Sequence, residues 1–388
     1  MLAVIHRGAD SAKRRRESGV GEVANQRHAS EPSAAILPGA PVTTAEGQVV
    51  DVAHRPFIAA DVGGTHARIG LVIGGAIGRT PVEVLHYHRY SCGEWPNLVV
   101  MLQDFVAQLA TTPHAAAAQH IDRCALACAG YVLDDTIVNE NLPWPVPIAP
   151  IRQGLGIDQL AVINDFEAVA YAAQFIDAAA SRAIIDAAQP PVEGPTLVMG
   201  PGTGLGAAVL LPGQPRAHVL PTEAGLVALA PGNEREIEIL RVLQRDRPYV
   251  AYEDVLSGPG LLRLYRALCE LRGSAPDLQT PAQITDAAQA ASDAAALESL
   301  HVFCGLLGSF VGDLVLLYRA SAVYLAGGIL PQIQLYLQTS TFAERYFNKG
   351  VMRPYLQQVS VRLIEHGQLG VIGAAGWFLD TKHVEQAT

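Results

Sequence analysis

Two short glycine-rich turns and one Asn-Asp pair hold most of the chemistry legible in this chain. The first turn lies in FIAADVGGTHARIGLV, residues 57–72. There an apolar run ends on Asp61, Gly63-Gly64-Thr65 follows, and a second apolar run leaves at once. The pattern reads as a tight hairpin with a bare tip, whose backbone N–H groups face an anion in a turn that glycine adopts cheaply. A carboxylate at the mouth of such a turn repels a bare phosphate. It suits a phosphate carrying Mg2+, whose shell takes carboxylate and water oxygens. The bland alternative is a surface hairpin with a Gly-Gly turn. GPGTGLG at 200–206 offers donors in the same way from Gly202 and Gly204, and Thr203 adds a hydroxyl. Asn164-Asp165 closes one short apolar run and opens a helical one, the place where ligands approach open α/β sheets. Asp165 is either a plain helix N-cap or a group that takes a proton from an attacking hydroxyl in phosphoryl transfer, held ionised by the helix dipole.

Two familiar nucleotide loops do not fit. Gly202-x-Gly204 is followed three residues later by Ala207, and Ala207–Leu211 reads as a strand, whereas a dinucleotide fingerprint opens a helix. No Gly-Lys-Ser/Thr occurs anywhere, which excludes a Walker-type loop. Glu223 in LPTEAG and Glu253 in YEDVLSGPG stand in loop-like settings. Either could accept two hydrogen bonds from a diol, or be a solvated loop acid. Gly327-Gly328 after an apolar run could let a flat adenine ring lie against backbone, or form a tight turn or helix C-cap. The histidines do not cluster at metal spacing, and His86 and His88 alternate as on an exposed strand face.

The elements that must position these residues alternate from residue 57 onward. Strands are expected at 57–62, 69–73, 82–90, 123–129, 136–139 and 160–163, with a helix over 97–110. A helix from about Phe166 to Ala180 follows Asn164-Asp165. After a Pro/Gly-rich break at 189–195, the second strand–turn–strand repeats the shape of the first. Helices over 235–245, 260–271 and 294–319 come next, then a strand–turn at 323–330 and a final helix from about Gly370. At 388 residues the chain exceeds what one core organises, so two lobes are expected, each carrying one Gly-Thr hairpin. Half the residues are apolar and 16% charged, a globular composition. A net charge of −10 argues against nucleic acid or an anionic membrane as the main partner. Five cysteines without a CxxC read as reduced buried thiols in a cytoplasmic protein. The greasiest region, Leu306–Leu330, is interrupted by Asp313 and Arg319, so no membrane span is expected. Residues 1–55, rich in Ala, Gly, Pro, Ser and charge, read as a disordered extension or as sequence upstream of the true start. The Arg14-Arg15-Arg16 run within them reads as solvated.

Together these residues resemble the bacterial glucokinase family, within the hexokinase, actin and Hsp70-like superfamily, from about Pro56 to the C-terminus. DVGGTHAR resembles its first phosphate motif, GPGTGLG its second and LAGGI its adenosine motif. INDF places Asp165 at the general base and Asn164 at a glucose ligand. LPTEAG and YEDVLSGPG place Glu223 and Glu253 at sugar hydroxyls, and NENLPW aligns Asn141 more loosely with another. The resemblance implies an α/β fold of two ribonuclease H-like (actin/hexokinase-type) domains with a central cleft. The small domain would be 56–166 plus 368–388, with the C-terminal helix packed back on it, and the large domain 167–367. It further implies a cytoplasmic enzyme using ATP and Mg2+ to convert D-glucose to glucose 6-phosphate, and admits a homodimer. Asp61 would hold the metal through water. Gly63, Gly64, Thr65, Gly202, Thr203 and Gly204 would hold phosphates, and Gly327 and Gly328 the adenosine. Three positions depart from the pattern. The family's Glu-Gly-Gly-His is Glu223-Ala224-Gly225-Leu226 here, His66 replaces an asparagine, and Pro201 removes an N–H from the second turn. The zinc-cysteine cluster of the related repressor and sugar-kinase family is absent from the sequence. A weak or non-catalytic sugar- or nucleotide-sensing descendant is the rival reading.

Overall fold

The computed structural model describes residues 35–36, 55–75, 82–139, 142–176, 181–189, 192–213, 216–364 and 367–387. Contacts divide the chain into Met1–Pro32, which lies outside the described residues, and Ser33–Thr388. The reading of residues 1–55 as an extension, with its arginine run, falls almost wholly outside the description.

In chain order the first half contains β1 (Ala35–Ile36), β2 (Phe57–Val62), β3 (His66–Gly74), β4 (Val82–Ser91), α1 (Leu98–Leu109), α2 (Ala115–Ala118) and β5 (Arg123–Cys128). A small separate sheet, β6 (Tyr131–Leu133), β7 (Thr136–Val138) and β8 (Val146–Pro147), precedes α3 (Ile148–Leu155), β9 (Gln159–Ile163) and α4 (Asp165–Ala173). The second half brings β10 (Ser181–Ile185), β11 (Thr196–Pro201), β12 (Leu205–Leu211), β13 (His218–Thr222), α5 (Glu234–Leu243), α6 (Gly258–Arg272), α7 (Pro281–Gln289) and α8 (Ala294–Tyr318). It ends with β14 (Ala322–Leu325), α9 (Gln334–Thr339), α10 (Phe342–Phe347), α11 (Arg353–Leu356), β15 (Ser360–Ile364) and α12 (Leu369–Ala387).

The two large sheets share one plan. Their strand orders are β1-β9-β5-β2-β3-β4 and β10-β15-β14-β11-β12-β13. In each, an antiparallel meander is extended from its first strand by two parallel strands and finished by a short antiparallel edge. Both glycine turns therefore occupy the same place, between the first and second strands of a meander.

Side-chain alternation assigns the faces. Ile58, Ala60 and Val62 of β2 enter a core with Leu98, Met101, Leu102 and Phe105 of α1. Phe57 and Ala59 point the other way, into a core with Val371, Ala374, Ala375 and Phe378 of α12. The last helix thus covers the first strands, as expected. Helix α4 leaves the first sheet at β9 and buries Val169, Ala170, Tyr171 and Ala173 with Val198, Ala208 and Leu210 of the second. It also meets α12 so tightly that a Cβ on Gly373 would lie 1.8 Å from the Ala168 carbonyl oxygen.

Helix α8 matches the helix expected over 294–319 to within one residue. An 18-residue stretch within its 25 residues has mean hydropathy 1.9, long and apolar enough to cross a membrane by length and composition alone. It is the core helix of the second half, packed from Ala295 to Val315, with Asp313 at the surface paired to Lys349. Helix α4 closes at Ala173 instead of near Ala180. The strand–turn expected at 323–330 is a strand, Ala322–Leu325, followed by a turn in which Gly327 takes φ +111°. His86 and His88 are half-buried, with their rings tilted against Phe105 and Tyr90, and not an exposed face.

The α4–α12 contact gives a stability test. On an exposed helix Gly→Ala gains about 1 kcal/mol. Gly373→Ala should instead lower the unfolding free energy by about 1–3 kcal/mol, read as a lower urea midpoint with an unchanged slope.

Candidate functional site

Strands β2, β5 and β9 run parallel and end together, with Asp61 opposite Ala127 and Ala127 opposite Ile163. Asp61 and Asn164-Asp165 therefore meet at the carboxyl edge of three adjacent strands. Their proximity shows in Cys128 between them: burial pushes its thiol well up, and the charges of Asp165 and Asp61 add to the shift.

Asp61 lies on the α12 face and is 2% exposed. Its cross-strand neighbour Arg68 donates from Nη1 to Oδ2 at 3.1 Å. Gly370 at the start of α12 comes so close that a Cβ there would lie 2.5 Å from the Asp61 Cγ. The buried carboxylate is thus paired with a cation from its own motif.

The first turn is closed by the Gly63 N–H donating to the His66 carbonyl at 3.0 Å. Cys92 braces it: its N–H donates to the Thr65 carbonyl and its Sγ to that of Gly63. The Trp144 indole in turn donates to the Cys92 carbonyl at 3.2 Å. Among the described residues the N–H groups of Gly64 and Thr65 remain for a ligand. They open on a cleft of about 390 Å3, lined also by His66, Ser91, Gly93, Leu142 and Pro143. Arg89 donates to His66 Nε2 at 3.0 Å, so Nδ1–H donates to Thr65 Oγ1 at 3.1 Å. Burial, then the charges of Arg89 and Arg68, hold the imidazole pKa below its usual value. Sequence reasoning missed Arg89. Its only signal is the register that sets it opposite Arg68.

The expected alternative for Asp165 is corrected at its own position. Asn164 is the N-cap, its Oδ1 accepting from the N–H groups of Phe166 at 2.9 Å and Glu167 at 3.3 Å. Asp165 is the first helical residue, and its Oδ1 accepts from the Phe166 N–H at 2.9 Å. The Phe166 ring lies directly over Gly206, where an added Cβ would fall 1.9 Å from the ring. That contact brings the start of α4 beside the second turn.

In the second turn, expectation and structure differ in two respects. Like Gly63, Gly202 and Gly204 are not in the left-handed region; what Gly204 requires is space, since its Cβ would lie 2.5 Å from Glu253 Oε2. The turn also offers fewer donors than its sequence promises. Gly202 N–H donates to the Gly204 carbonyl at 2.7 Å, and Leu205 N–H to Glu253 Oε2 at 2.7 Å. Pro201 has none, which leaves Thr203, through its N–H and hydroxyl, and Gly204 N–H. Gly327 packs on this turn, its φ of +111° holding it where a Cβ would lie 2.4 Å from the Pro201 carbonyl oxygen. Gly328 follows, its carbonyl accepting from Gln332 Nε2 at 3.0 Å. The proposed adenosine and phosphate residues are therefore contiguous.

Glu223 and Glu253 come from segments zipped together by Tyr252 N–H to the Val227 carbonyl and Leu229 N–H to the Val250 carbonyl. Partial burial, then the charge of Glu253, push the Glu223 carboxyl above its usual pKa. Leu226 lies one 3-10 turn on, its N–H donating to the Glu223 carbonyl at 3.0 Å, a spacing that eclipses the two side chains. It is 52% exposed, and its carbonyl accepts from the Tyr249 hydroxyl. Asn141 lies outside the described residues. Among the described residues no three His, Cys, Asp or Glu side chains gather as a metal cage.

A twice-built meander with parallel extensions, with glycine hairpins in equivalent places and carboxylates at the strand ends, defines an actin-like ATPase fold. The family described as glucokinase matches residues 58–381. A glucokinase-like protein of Xylella fastidiosa is 44% identical over 328 residues, covering 84% of this chain and 95% of its own. A glucokinase of Saccharophagus degradans is 35% identical over 326 residues, 83% of this chain and 98% of its own. The crystal structure of a glucokinase from an Antarctic psychrotroph superposes with a TM-score of 0.71 at 34% identity, covering 84% of this chain and 99% of that one. The chain belongs to the glucokinase family.

The raised Glu223 pKa gives a test independent of any ligand. An acid whose folded pKa exceeds its unfolded value is protonated more readily when folded. Its cost is absent below the ordinary carboxylate range and grows as pH rises through the folded value. Glu223→Gln should therefore raise the melting temperature of the unliganded protein at pH 7, and the gain should vanish at about pH 4, near the ordinary carboxylate value.

Proposed function

We propose that this sugar kinase transfers the γ-phosphoryl group of ATP to the 6-hydroxyl of D-glucose in the cytoplasm. The observation that carries the reading is the place of Asp165, at the N-terminus of α4 and between two equivalent glycine turns, with Asn164 already serving as cap. Asp165 accepts the proton of the attacking hydroxyl and fixes its direction. The Asn164 amide nitrogen, Glu223, Glu253 and Asn141 hold the other hydroxyls. Gly64 and Thr65 in the first turn, with Thr203 and Gly204 in the second, grip the phosphates, and Gly327-Gly328 faces the adenine. Mg2+ fits this donor set only in part. Asp61 is buried and paired with Arg68, so it can steer metal-bound water but is poorly disposed to ligate directly, which agrees with a metal held mainly by phosphate and water. When bound, the ion offsets phosphate charge. We divide the fold into 56–166 plus 368–388 and 167–367, hinged so that closure on the sugar excludes water. The free cysteines Cys92, Cys124, Cys128, Cys269 and Cys304 are all buried, which suits a reducing compartment.

Leu226 favours a second reading, a protein that binds sugar and nucleotide without turnover. It cannot hydrogen-bond a hydroxyl beside Glu223, a loss of about 1–3 kcal/mol. A coupled assay over several hexoses separates the two. The wild type should phosphorylate glucose with a raised KM, Leu226→His should gain roughly ten- to a hundredfold in kcat/KM, and Asp165→Ala should lose about a hundred- to ten-thousandfold in kcat. If wild type and Leu226→His are as inactive as Asp165→Ala on every sugar, the kinase reading falls. Sugar and ATP binding without turnover would establish the second.

A further inference from the structure

Glu253 touches two things at once. Its Oε2 accepts the Leu205 N–H at 2.7 Å, at the foot of the second glycine turn, and lies against Gly204. Among the described residues its Oε1 takes no hydrogen bond, and the side chain is half-buried beside Glu223. The backbone around it is rigidly tied. Ser257, the N-cap of α6, donates its hydroxyl to the Glu253 carbonyl at 2.8 Å and accepts from Gly260 N–H at 2.9 Å. One residue later, Gly258 N–H donates to the Gly202 carbonyl at 2.8 Å. The loop carrying Glu253 thus holds the turn at both ends, by its side chain at Leu205 and by its backbone at Gly202.

We propose that Glu253 is a positioning residue that couples the two substrates: Oε1 takes a sugar hydroxyl while Oε2 sets the second turn for the nucleotide phosphates. This rests on the acceptor site proposed above. A carboxylate whose two oxygens are both engaged has one orientation. A hydroxyl on Oε1 therefore fixes Oε2 against Leu205 N–H, and the turn behind it presents Thr203 and Gly204 in one arrangement. Nucleotide on the turn fixes Oε1 for the sugar in the same way, because coupling between two binding sites is reciprocal. The second turn thereby reports on the sugar site without touching the sugar. Among the described residues no hydrogen bond ties the first turn, braced by Cys92, to Glu223 or Glu253.

Calorimetric titration of glucose, with and without a non-hydrolysable ATP analogue and Mg2+, tests this on wild type, Gly204→Ala and Glu253→Gln. In the wild type the analogue should tighten glucose by about fivefold or more. Gly204→Ala keeps the carboxylate but displaces Oε2; at analogue concentrations shown by direct titration to saturate each variant, the coupling should drop below about twofold. Glu253→Gln, whose amide oxygen can still accept from Leu205, should weaken glucose yet retain coupling. A loss of fold alone would lower binding of both ligands in both variants and leave no such split. If glucose and nucleotide bind the wild type independently, or Gly204→Ala keeps the wild-type ratio, the proposal is overturned while the acceptor site stands. If wild type binds the analogue but no glucose, the acceptor site fails and the proposal with it.

Discussion

The chain has to place one helix on two sheets. Helix α4 begins where β9 of the first sheet ends, and its apolar face belongs to the second. There it meets α12 in a close, side-chain-free contact, with Gly373 against the Ala168 carbonyl. The position of Asp165 follows from that geometry. It sits where α4 leaves the first sheet, with the Phe166 ring packed on Gly206 beside the second hairpin.

Charge is managed differently at the two ends of the site. At the phosphate end, buried Asp61 has Arg68, and Arg89 reaches His66, so a protein of net charge −10 still turns cations toward the first turn. At the proposed acceptor end, no cation among the described residues hydrogen-bonds Glu223 or Glu253, and burial, then the charge of Glu253, raise the carboxyl pKa of Glu223. Two carboxylates set near each other are an arrangement that a neutral ligand rich in hydroxyl donors relieves. On the function proposed above, the contrast separates an end suited to anions from one suited to polyols.

Much of this was legible because the chemistry sits in short contiguous motifs. The two hairpins, the Asn-Asp junction and the long helices announce themselves through apolar runs and glycine. What escaped depends on neighbours far away in sequence. Strands β10 and β15, SRAII and SVRLI, are short and carry an arginine mid-strand, so no apolar run marks them. Which member of Asn164-Asp165 caps the helix is decided by one backbone turn, and the sequence suits either. The second turn promised more N–H donors than it has, because Leu205 is claimed by a glutamate 48 residues on. Helix α8 showed the converse, since composition alone does not distinguish a core helix from a membrane span.

The last helix covering the first strands has a consequence for synthesis. Phe57 and Ala59 of β2 find their cover in Val371, Ala374, Ala375 and Phe378, at the far end of the chain. While a ribosome is still making the second half, the first sheet has one face sheltered by α1 and the other bare. The N-terminal portion therefore cannot complete its core as an independent unit during translation, and a chain stopped short of residue 369 leaves that sheet face open to aggregation.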